Sequence, residues 1–245
     1  MRVIRTHVEG PLAVGTRMAL PEAAAGHLLR TLRLDAGDAC VLFNGDGFDY
    51  ECRIVSAGKR GGEVEVLAAH GVRNESALRI VLLQGVARGE KMDWILQKAT
   101  ELGVAGFVPV ASERSEVRLD AARAEKRLAH WRGVVASACA QAGRALIPHV
   151  AAPRPLADAV SDLPADALRL TLDPAATAAV RGLADPAGRS VVVAIGPEGG
   201  WSPRDRGVLA DAGFTGLRLG PRILRTETAG IAAISALQAA FGDLA

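Results

Sequence analysis

Two glycine-containing segments, each at the end of an apolar stretch, offer groups that could bind a ligand and act on it. The first is Gly196–Trp201 (GPEGGW), which follows Val191–Ile195, and the second is Leu219–Ala229 (LGPRILRTETA). Glycines let a backbone approach a ligand closely, while the glutamates and arginines of both segments supply proton acceptors and positive charge. Neither spacing matches GxGxxG or GxxxxGK[ST], so the pattern argues against a site for the phosphates of a dinucleotide or of a nucleoside triphosphate.

The sequence from Leu78 onward predicts an α/β domain that carries both segments. Apolar residues at spacings of three and four predict a helix over Glu90–Leu102, ended by Gly103, and Ser202 with Asp205 predicts another helix start. Parallel strands end at one edge of a sheet, so we expect the two glycine segments to meet there. The predicted strands are Leu78–Gly85, Val104–Val110, Ile147–Val150, Leu168–Leu172, Ser190–Ile195 and Thr215–Leu219.

The first seventy residues have a different pattern, which predicts a small β-rich domain. Asn44–Gly47 is a hairpin signal, because Asn and Gly tolerate positive φ, and a second turn is predicted at residues 59–62. One helix is predicted over Pro21–Leu32. The strands are predicted at Ala39–Phe43, Phe48–Ser56 and Glu63–Leu67. This change in pattern predicts two domains, residues 1–72 and 73–245.

Composition excludes several classes of protein. With 49% hydrophobic and 23% charged residues the chain is neither disordered nor, from its short apolar runs, a membrane-spanning protein. The net charge is only +2, so attraction to nucleic acid requires a local basic patch. Three cysteines without CxxC spacing, and histidines without ligand spacing, predict no disulfides and no metal site. The first residues show no export signal, so we expect a cytoplasmic protein.

Taken together, several motifs resemble the ribosomal RNA small subunit methyltransferase E family, a branch of the SPOUT methyltransferases. The resemblance covers nearly the whole chain and is strongest in the two glycine segments. Its other parts are His27–Leu34 with Gly37-Asp38, then Lys91, Lys98–Val104, Pro109 and Glu113–Ser115, and finally Gln141, Arg144 and Pro148.

The resemblance implies both a fold and a reaction. It implies a PUA-like RNA-binding β-barrel domain followed by a parallel α/β SPOUT domain whose C-terminal part forms a trefoil knot. Proteins of this family use S-adenosylmethionine to methylate N3 of one uridine in 16S rRNA, and they act as homodimers. We therefore expect 16S rRNA within the assembled small ribosomal subunit as the partner, with no membrane or metal involved.

The resemblance also assigns roles to individual residues. Arg225 is expected to stabilise negative charge on the uracil, and Glu198 or Glu227 to accept the N3 proton or to hold Arg225; Glu198 could instead fix its own loop. The expected RNA contacts are His27, Arg30, Arg33, Arg114 and Arg144. The expected cofactor-binding residues are Leu172, Ile195, Gly196, Pro197, Glu198, Gly199, Gly200, Leu219, Gly220, Ile223, Leu224, Thr228 and Ala229.

The last predicted helix, Glu227–Phe241, is apolar on nearly all sides. Such a helix requires burial on two sides, which the sheet and a second subunit would provide.

Two alternatives to uridine N3 methylation stay open. One is a SPOUT methyltransferase acting on another RNA base or on a ribose 2′-OH, and the other is a non-catalytic RNA-binding dimer.

Overall fold

The computed structural model describes residues 4–58, 61–115 and 121–244. The chain folds as two compact units. The first contains Met1–Glu75 together with Ala136–Ile147, and the second contains Ser76–Val135 and Pro148–Ala245. The domain boundary after residue 72 stays a prediction.

The first unit is built on a five-stranded sheet among the described residues. Along the sheet the order is β1-β3-β4-β5-β2, with β1 parallel to β3 and the other pairs antiparallel. Its core includes Leu28, Leu42, Ile54 and Val64, all nearly fully buried. The strands are β1 (Arg5–His7), β2 (Arg17–Ala19), β3 (Ala39–Phe43), β4 (Phe48–Gly58) and β5 (Gly61–Gly71).

Most of the predicted elements of this unit are present. The β3–β4 hairpin turns at Asn44–Gly47, where Gly45 and Gly47 have φ of 93° and 94°. Lys59 and Arg60 of the second predicted turn lie outside the described residues. The predicted single helix is a short α1 (Glu22–Ala25) that continues as a π-helix over Gly26–Thr31.

Arg5 connects β1 to the segment 136–147 inside this unit. Its guanidinium pairs with Asp49 and donates to the carbonyl oxygens of Cys139, Ala140 and Arg144 at 2.9–3.2 Å. Cys139 and Ala140 lie in the last turn of the helix over Ala121–Ala142, and Arg144 follows it, so one arginine binds three carbonyl oxygens at the end of this helix. The segment 136–147 is thereby fastened to the β-rich unit.

The second unit is a parallel sheet covered by helices. The strand order is β12-β10-β11-β6-β7-β8, and β9 pairs with β7. The central strands β6 and β11 are almost entirely buried, as expected for a parallel sheet covered on both faces. The strands are β6 (Ile80–Gly85), β7 (Gly106–Ala111), β8 (His149–Val150), β9 (Arg154–Pro155), β10 (Leu168–Leu172), β11 (Val191–Ile195) and β12 (Thr215–Leu217).

Helices pack on both faces of this sheet. Side chains alternate along β6 and β11, so Leu83 and Val192 share a core with α4 and α5, while Leu82 lies beside α6. The predicted capping box at the start of α5 is confirmed, since Ser202 and Asp205 bond each other's backbone amides at 3.0 Å. The helices of this unit are α2 (Glu90–Glu101), α4 (Leu156–Ser161), α5 (Pro203–Asp211) and α6 (Thr226–Phe241), together with the first part of α3 (Ala121–Ala142), whose residues from Ala136 belong to the first unit.

Helix α6 is buried on one side only. The buried residues include Ala229, Ala233 and Leu237, while Ile231 and Ala232 on the other side are half-buried. Among the described residues no helix is both long and apolar enough to cross a membrane.

Candidate active site

The carboxyl ends of β10, β11 and β12 surround a pocket of about 600 Å³. Three stretches line it, residues 171–174, the glycine loop Gly196–Trp201, and much of the segment from Leu217 to Ala229, which includes the arginine loop Leu219–Arg225. The two predicted ligand segments therefore meet at one site. All the predicted cofactor residues line this pocket except Thr228, which is exposed and lies outside the lining.

Close backbone contacts shape the glycine loop. A Cβ atom on Gly85, the last residue of β6, would lie 2.6 Å from the ring of Pro197. A Cβ on Gly196 would lie 3.0 Å from the backbone of Gly200, which itself has φ of 64°. Only glycine fits such spacings without moving the neighbouring chain, so these glycines permit a tight turn around the pocket.

Two hydrogen-bonded relays hold this loop. In one, Gln84 Nε2 donates to Thr226 Oγ1 at 3.0 Å, and Thr226 Oγ1 donates to the carbonyl oxygen of Gly196 at 2.6 Å. In the other, Trp201 Nε1 donates to Thr171 Oγ1 at 3.2 Å, and Thr171 Oγ1 donates to the carbonyl oxygen of Ala194 at 3.3 Å. Each end of the loop is thus tied to a neighbouring element.

Glu198 anchors the glycine loop to the start of α2. Its carboxylate accepts hydrogen bonds from the Arg88 amide at 3.1 Å and from Lys91 Nζ at 3.0 Å. Burial alone would raise the pKa of Glu198. Backbone hydrogen bonds from its own amide and from Arg88, together with the hydrogen bond and charge of Lys91, have a larger combined effect, so the pKa is lowered. This carboxylate is well suited to fixing its loop, and its low basicity makes it a poor proton acceptor.

Arg225 and Glu227 differ from Glu198 in their surroundings. Arg225 is exposed at the N-cap position of α6 and lines the pocket. Glu227, in the first turn of α6, also lines the pocket, and its Oε2 atom is buried without a hydrogen-bond partner among the described residues. A buried acceptor without a donor is costly, so this oxygen has a hydrogen-bonding need that the described residues do not meet.

The five predicted RNA contacts fall into two groups. His27, Arg30 and Arg33 are exposed in the first unit, on or just after the π-helix, and Arg33 has a φ of 59°. Arg114 and Arg144 each bond to a neighbouring part of the protein, and the prediction of Arg114 as an RNA contact stays a prediction.

Arg114 holds the glycine loop. Its Nη1 donates to the carbonyl oxygen of Gly199 at 3.1 Å, and a Cβ on Gly199 would lie 3.2 Å from the Arg114 Cβ. The structure therefore gives this arginine a supporting role at the pocket.

The prediction of Arg144 as an RNA contact is wrong. Its side chain is 5% exposed and its guanidinium forms a two-pronged ion pair with Glu75 inside the first unit. A buried, paired guanidinium does not reach a phosphate in solvent.

Several pocket residues were not predicted from the sequence. Thr171 and Arg206 line the pocket, and Gln84 supports it through its hydrogen bond to Thr226. Gln84 carried a signal, because it is a polar residue inside an otherwise apolar strand, which usually indicates a specific hydrogen bond. Among the described residues, no three His, Cys, Asp or Glu side chains gather as metal ligands.

Comparison with known proteins agrees with this architecture. Residues 74–238 match the family model of an RNA methyltransferase domain, and residues 20–67 match an RNA methyltransferase PUA domain. The ribosomal RNA small subunit methyltransferase E of Buchnera aphidicola is 31% identical over 243 residues, covering 99% of this chain and 98% of that protein.

Solved structures agree over the full length. The ribosomal RNA small subunit methyltransferase E of Neisseria gonorrhoeae, bound to S-adenosylmethionine, has a TM-score of 0.95 at 38% identity and covers 100% of both chains. A methyltransferase from Legionella pneumophila, also with bound S-adenosylmethionine, has a TM-score of 0.95 at 37% identity with the same coverage. A PUA-like unit followed by a parallel α/β methyltransferase unit is thus shared along the whole chain, which belongs to the ribosomal RNA small subunit methyltransferase E family.

Proposed function

We propose that this protein transfers the methyl group of S-adenosylmethionine to N3 of a uridine in the 16S rRNA of the small ribosomal subunit. The observation that carries the proposal is the pocket at the strand ends, where two glycine-containing loops meet beside the exposed Arg225 and beside Glu227. Family membership supplies the reaction class, and the relatives solved with S-adenosylmethionine support the choice of cofactor.

The residues present suit this cofactor. S-adenosylmethionine has an adenine, a ribose and an amino-acid end but no phosphate, so its site needs apolar walls and backbone hydrogen-bonding groups. When bound, it supplies an electrophilic methyl group on a sulfonium. We propose that Leu172, Ile195, Leu219 and Leu224 flank the adenine, while the glycine loop offers its backbone amides and carbonyls. The volume of about 600 Å³ is in the range of small-molecule sites.

Arg225 and Glu227 are proposed to act on the uracil. Methylation at N3 requires loss of a weakly acidic N–H, and negative charge then spreads over the two neighbouring carbonyl oxygens. The Arg225 guanidinium is exposed at the pocket and can stabilise that charge with paired N–H donors. Glu227 is the better candidate to accept the proton, because no described residue bonds its Oε2 atom, whereas Glu198 accepts from the Arg88 amide and from Lys91.

Binding of RNA is proposed to involve the first unit. His27, Arg30 and Arg33 are exposed within it, and arginines form bidentate contacts with phosphates. We further propose that the assembled small subunit is the substrate, since an isolated loop offers little shape to recognise. With a ribosomal substrate, the reaction is proposed to take place in the cytoplasm.

The protein is proposed to act as a homodimer through α6. The exposed side of this helix carries Ile231 and Ala232, and Ile223 in the nearby arginine loop is 87% exposed. A second copy would cover these apolar groups. Size-exclusion chromatography with light scattering should give about twice the 25.4 kDa chain mass. A monomer at micromolar concentration would reject the dimer.

The direct test of the reaction uses 16S rRNA that lacks the modification. Small subunits from a strain deleted for the gene are incubated with the purified protein and S-adenosylmethionine, and the digested RNA is examined by mass spectrometry. We expect 3-methyluridine to appear in 16S rRNA only when both protein and cofactor are present. Methylation of another base or of a ribose would reject the assigned atom, and no methylation would reject the enzyme.

A further inference from the structure

Gln84 is a fully buried polar residue at the end of an apolar strand. Its Nε2 donates to the carbonyl oxygen of Gly85 at 2.9 Å and to Thr226 Oγ1 at 3.0 Å. Its Oε1 atom has no partner among the described residues. An apolar side chain would avoid this cost, so the position is best explained by a need for the amide donor.

Thr226 connects Gln84 to the glycine loop by hydrogen bonds. Its hydroxyl is buried, accepts from Gln84 and donates to the Gly196 carbonyl oxygen at 2.6 Å. The direction of the relay is determined by its ends, because an amide nitrogen of glutamine only donates and a carbonyl oxygen only accepts. Three separate segments are joined, namely the end of β6, the first residue of α6 and the turn after β11.

We infer that Gln84 and Thr226 are positioning residues that set the spacing between the glycine loop and the arginine loop, and thereby the affinity for the cofactor. The inference rests on the proposed function, since it assigns the two loops to S-adenosylmethionine. Thr226 directly follows the arginine loop and Gly196 begins the glycine loop, so one hydroxyl fixes the distance between them. A pocket already held at the right width loses less freedom when it binds its ligand.

Substitutions that keep the size of a side chain can remove or keep its hydrogen bond in the relay. Thr226→Val keeps the shape but removes the hydroxyl, whereas Thr226→Ser keeps the hydroxyl. Gln84→Met keeps the approximate size of the side chain but removes the amide donor. Thr100→Val is the matched control, because Thr100 is also a buried helical threonine, with its hydroxyl bonded at 2.7 Å to Leu96 within α2.

The first measurement needs no cofactor. Amide hydrogen exchange is followed by mass spectrometry in the ligand-free protein, in peptides covering residues 196–201 and 219–225, with thermal melting to confirm folding. We expect about tenfold faster exchange in both loops for Thr226→Val and Gln84→Met, the effect of losing one hydrogen bond. Thr226→Ser and Thr100→Val should exchange like the wild type. Wild-type exchange in a folded Thr226→Val or Gln84→Met protein would overturn the inference.

The second measurement connects the relay to binding. Calorimetric titration with S-adenosylmethionine should give about tenfold weaker binding for Thr226→Val, while Thr226→Ser and Thr100→Val should bind like the wild type. Equal affinity in the Thr226→Val and wild-type proteins would overturn the inference. If the wild type itself shows no binding, the proposed function fails, and the exchange comparison still decides whether the relay sets the spacing of the loops.

Discussion

Replacing Glu198 by glutamine separates an anchoring role from a proton-transfer role. The substitution keeps the size of the side chain and removes its charge. In the structure the carboxylate accepts hydrogen bonds from the Arg88 amide and Lys91 Nζ, at 3.1 and 3.0 Å. If Glu198 fixes the glycine loop, its neutralisation loosens a loop that forms part of the pocket and so weakens cofactor binding.

The size of the effect follows from these two contacts. A hydrogen bond to a charged group contributes about 1.5–3 kcal/mol and a neutral one about 0.5–1.5 kcal/mol, so the Arg88 bond weakens by about 1 kcal/mol. The Lys91 side chain is 39% exposed and its charge is screened by solvent, so its pairing adds about 0–1 kcal/mol. The sum of about 1–2 kcal/mol predicts that S-adenosylmethionine binds about 5–30-fold more weakly.

Calorimetry and steady-state kinetics on Glu198→Gln test this, with Glu90→Gln as a control at an exposed acid on the same helix as Lys91. The lowered pKa keeps Glu198 ionised, so its contribution is present above the usual value near 4.5 and is lost only as pH falls below it. The ratio of wild-type to variant affinity should therefore be constant between about pH 6 and pH 9. A fall in kcat of about 100-fold or more with unchanged affinity would contradict the anchoring role, because it would identify Glu198 as the base.

Four further predictions concern single sites. Arg225→Ala should lower kcat by about 100-fold while the affinity for S-adenosylmethionine changes less than about threefold, and a weaker effect on kcat would remove Arg225 from the chemistry. Arg144→Ala should reduce the free energy of unfolding in urea by about 3 kcal/mol, since it leaves Glu75 without its buried partner, and a change below about 0.5 kcal/mol would contradict the ion pair's structural role. Burial raises the pKa of Cys40 to about 12 and those of Cys52 and Cys139 to about 11, so native protein at pH 8 should react with a maleimide far more slowly than urea-unfolded protein, and equal rates would show that these thiols are accessible. Gly85→Ala should weaken cofactor binding at least about fivefold, because the added carbon lies 2.6 Å from Pro197, and unchanged affinity would mean that this contact does not shape the loop.

Local sequence signals were sufficient to predict the strands that carry the pocket. Apolar runs predicted β6 and β11 within a few residues, because strands of a covered parallel sheet are apolar along their length. Since such strands end at one edge, the meeting of the glycine and arginine loops was predictable as well. Asp205 three residues after Ser202 is likewise a local signal, and it predicted the start of α5.

Contacts between distant residues were not predictable in this way. Arg144 pairs with Glu75 across 69 positions, and nothing near either residue indicates the other. The Gln84–Thr226 contact spans 142 positions, and the sequence predicts only that a polar residue in an apolar strand needs some partner. Nothing in the sequence near Arg114 indicates its hydrogen bond to Gly199. The trefoil knot expected from the family resemblance stays a prediction.

A crystal structure of this protein grown with S-adenosylmethionine would show whether the pocket at the strand ends binds this cofactor. We expect the adenine between Leu172, Ile195 and Leu224, with backbone groups of the glycine loop hydrogen-bonded to the cofactor and its methyl group directed toward the space beside Arg225. Cofactor bound at another surface, or a pocket filled by its own side chains in the presence of saturating cofactor, would contradict it.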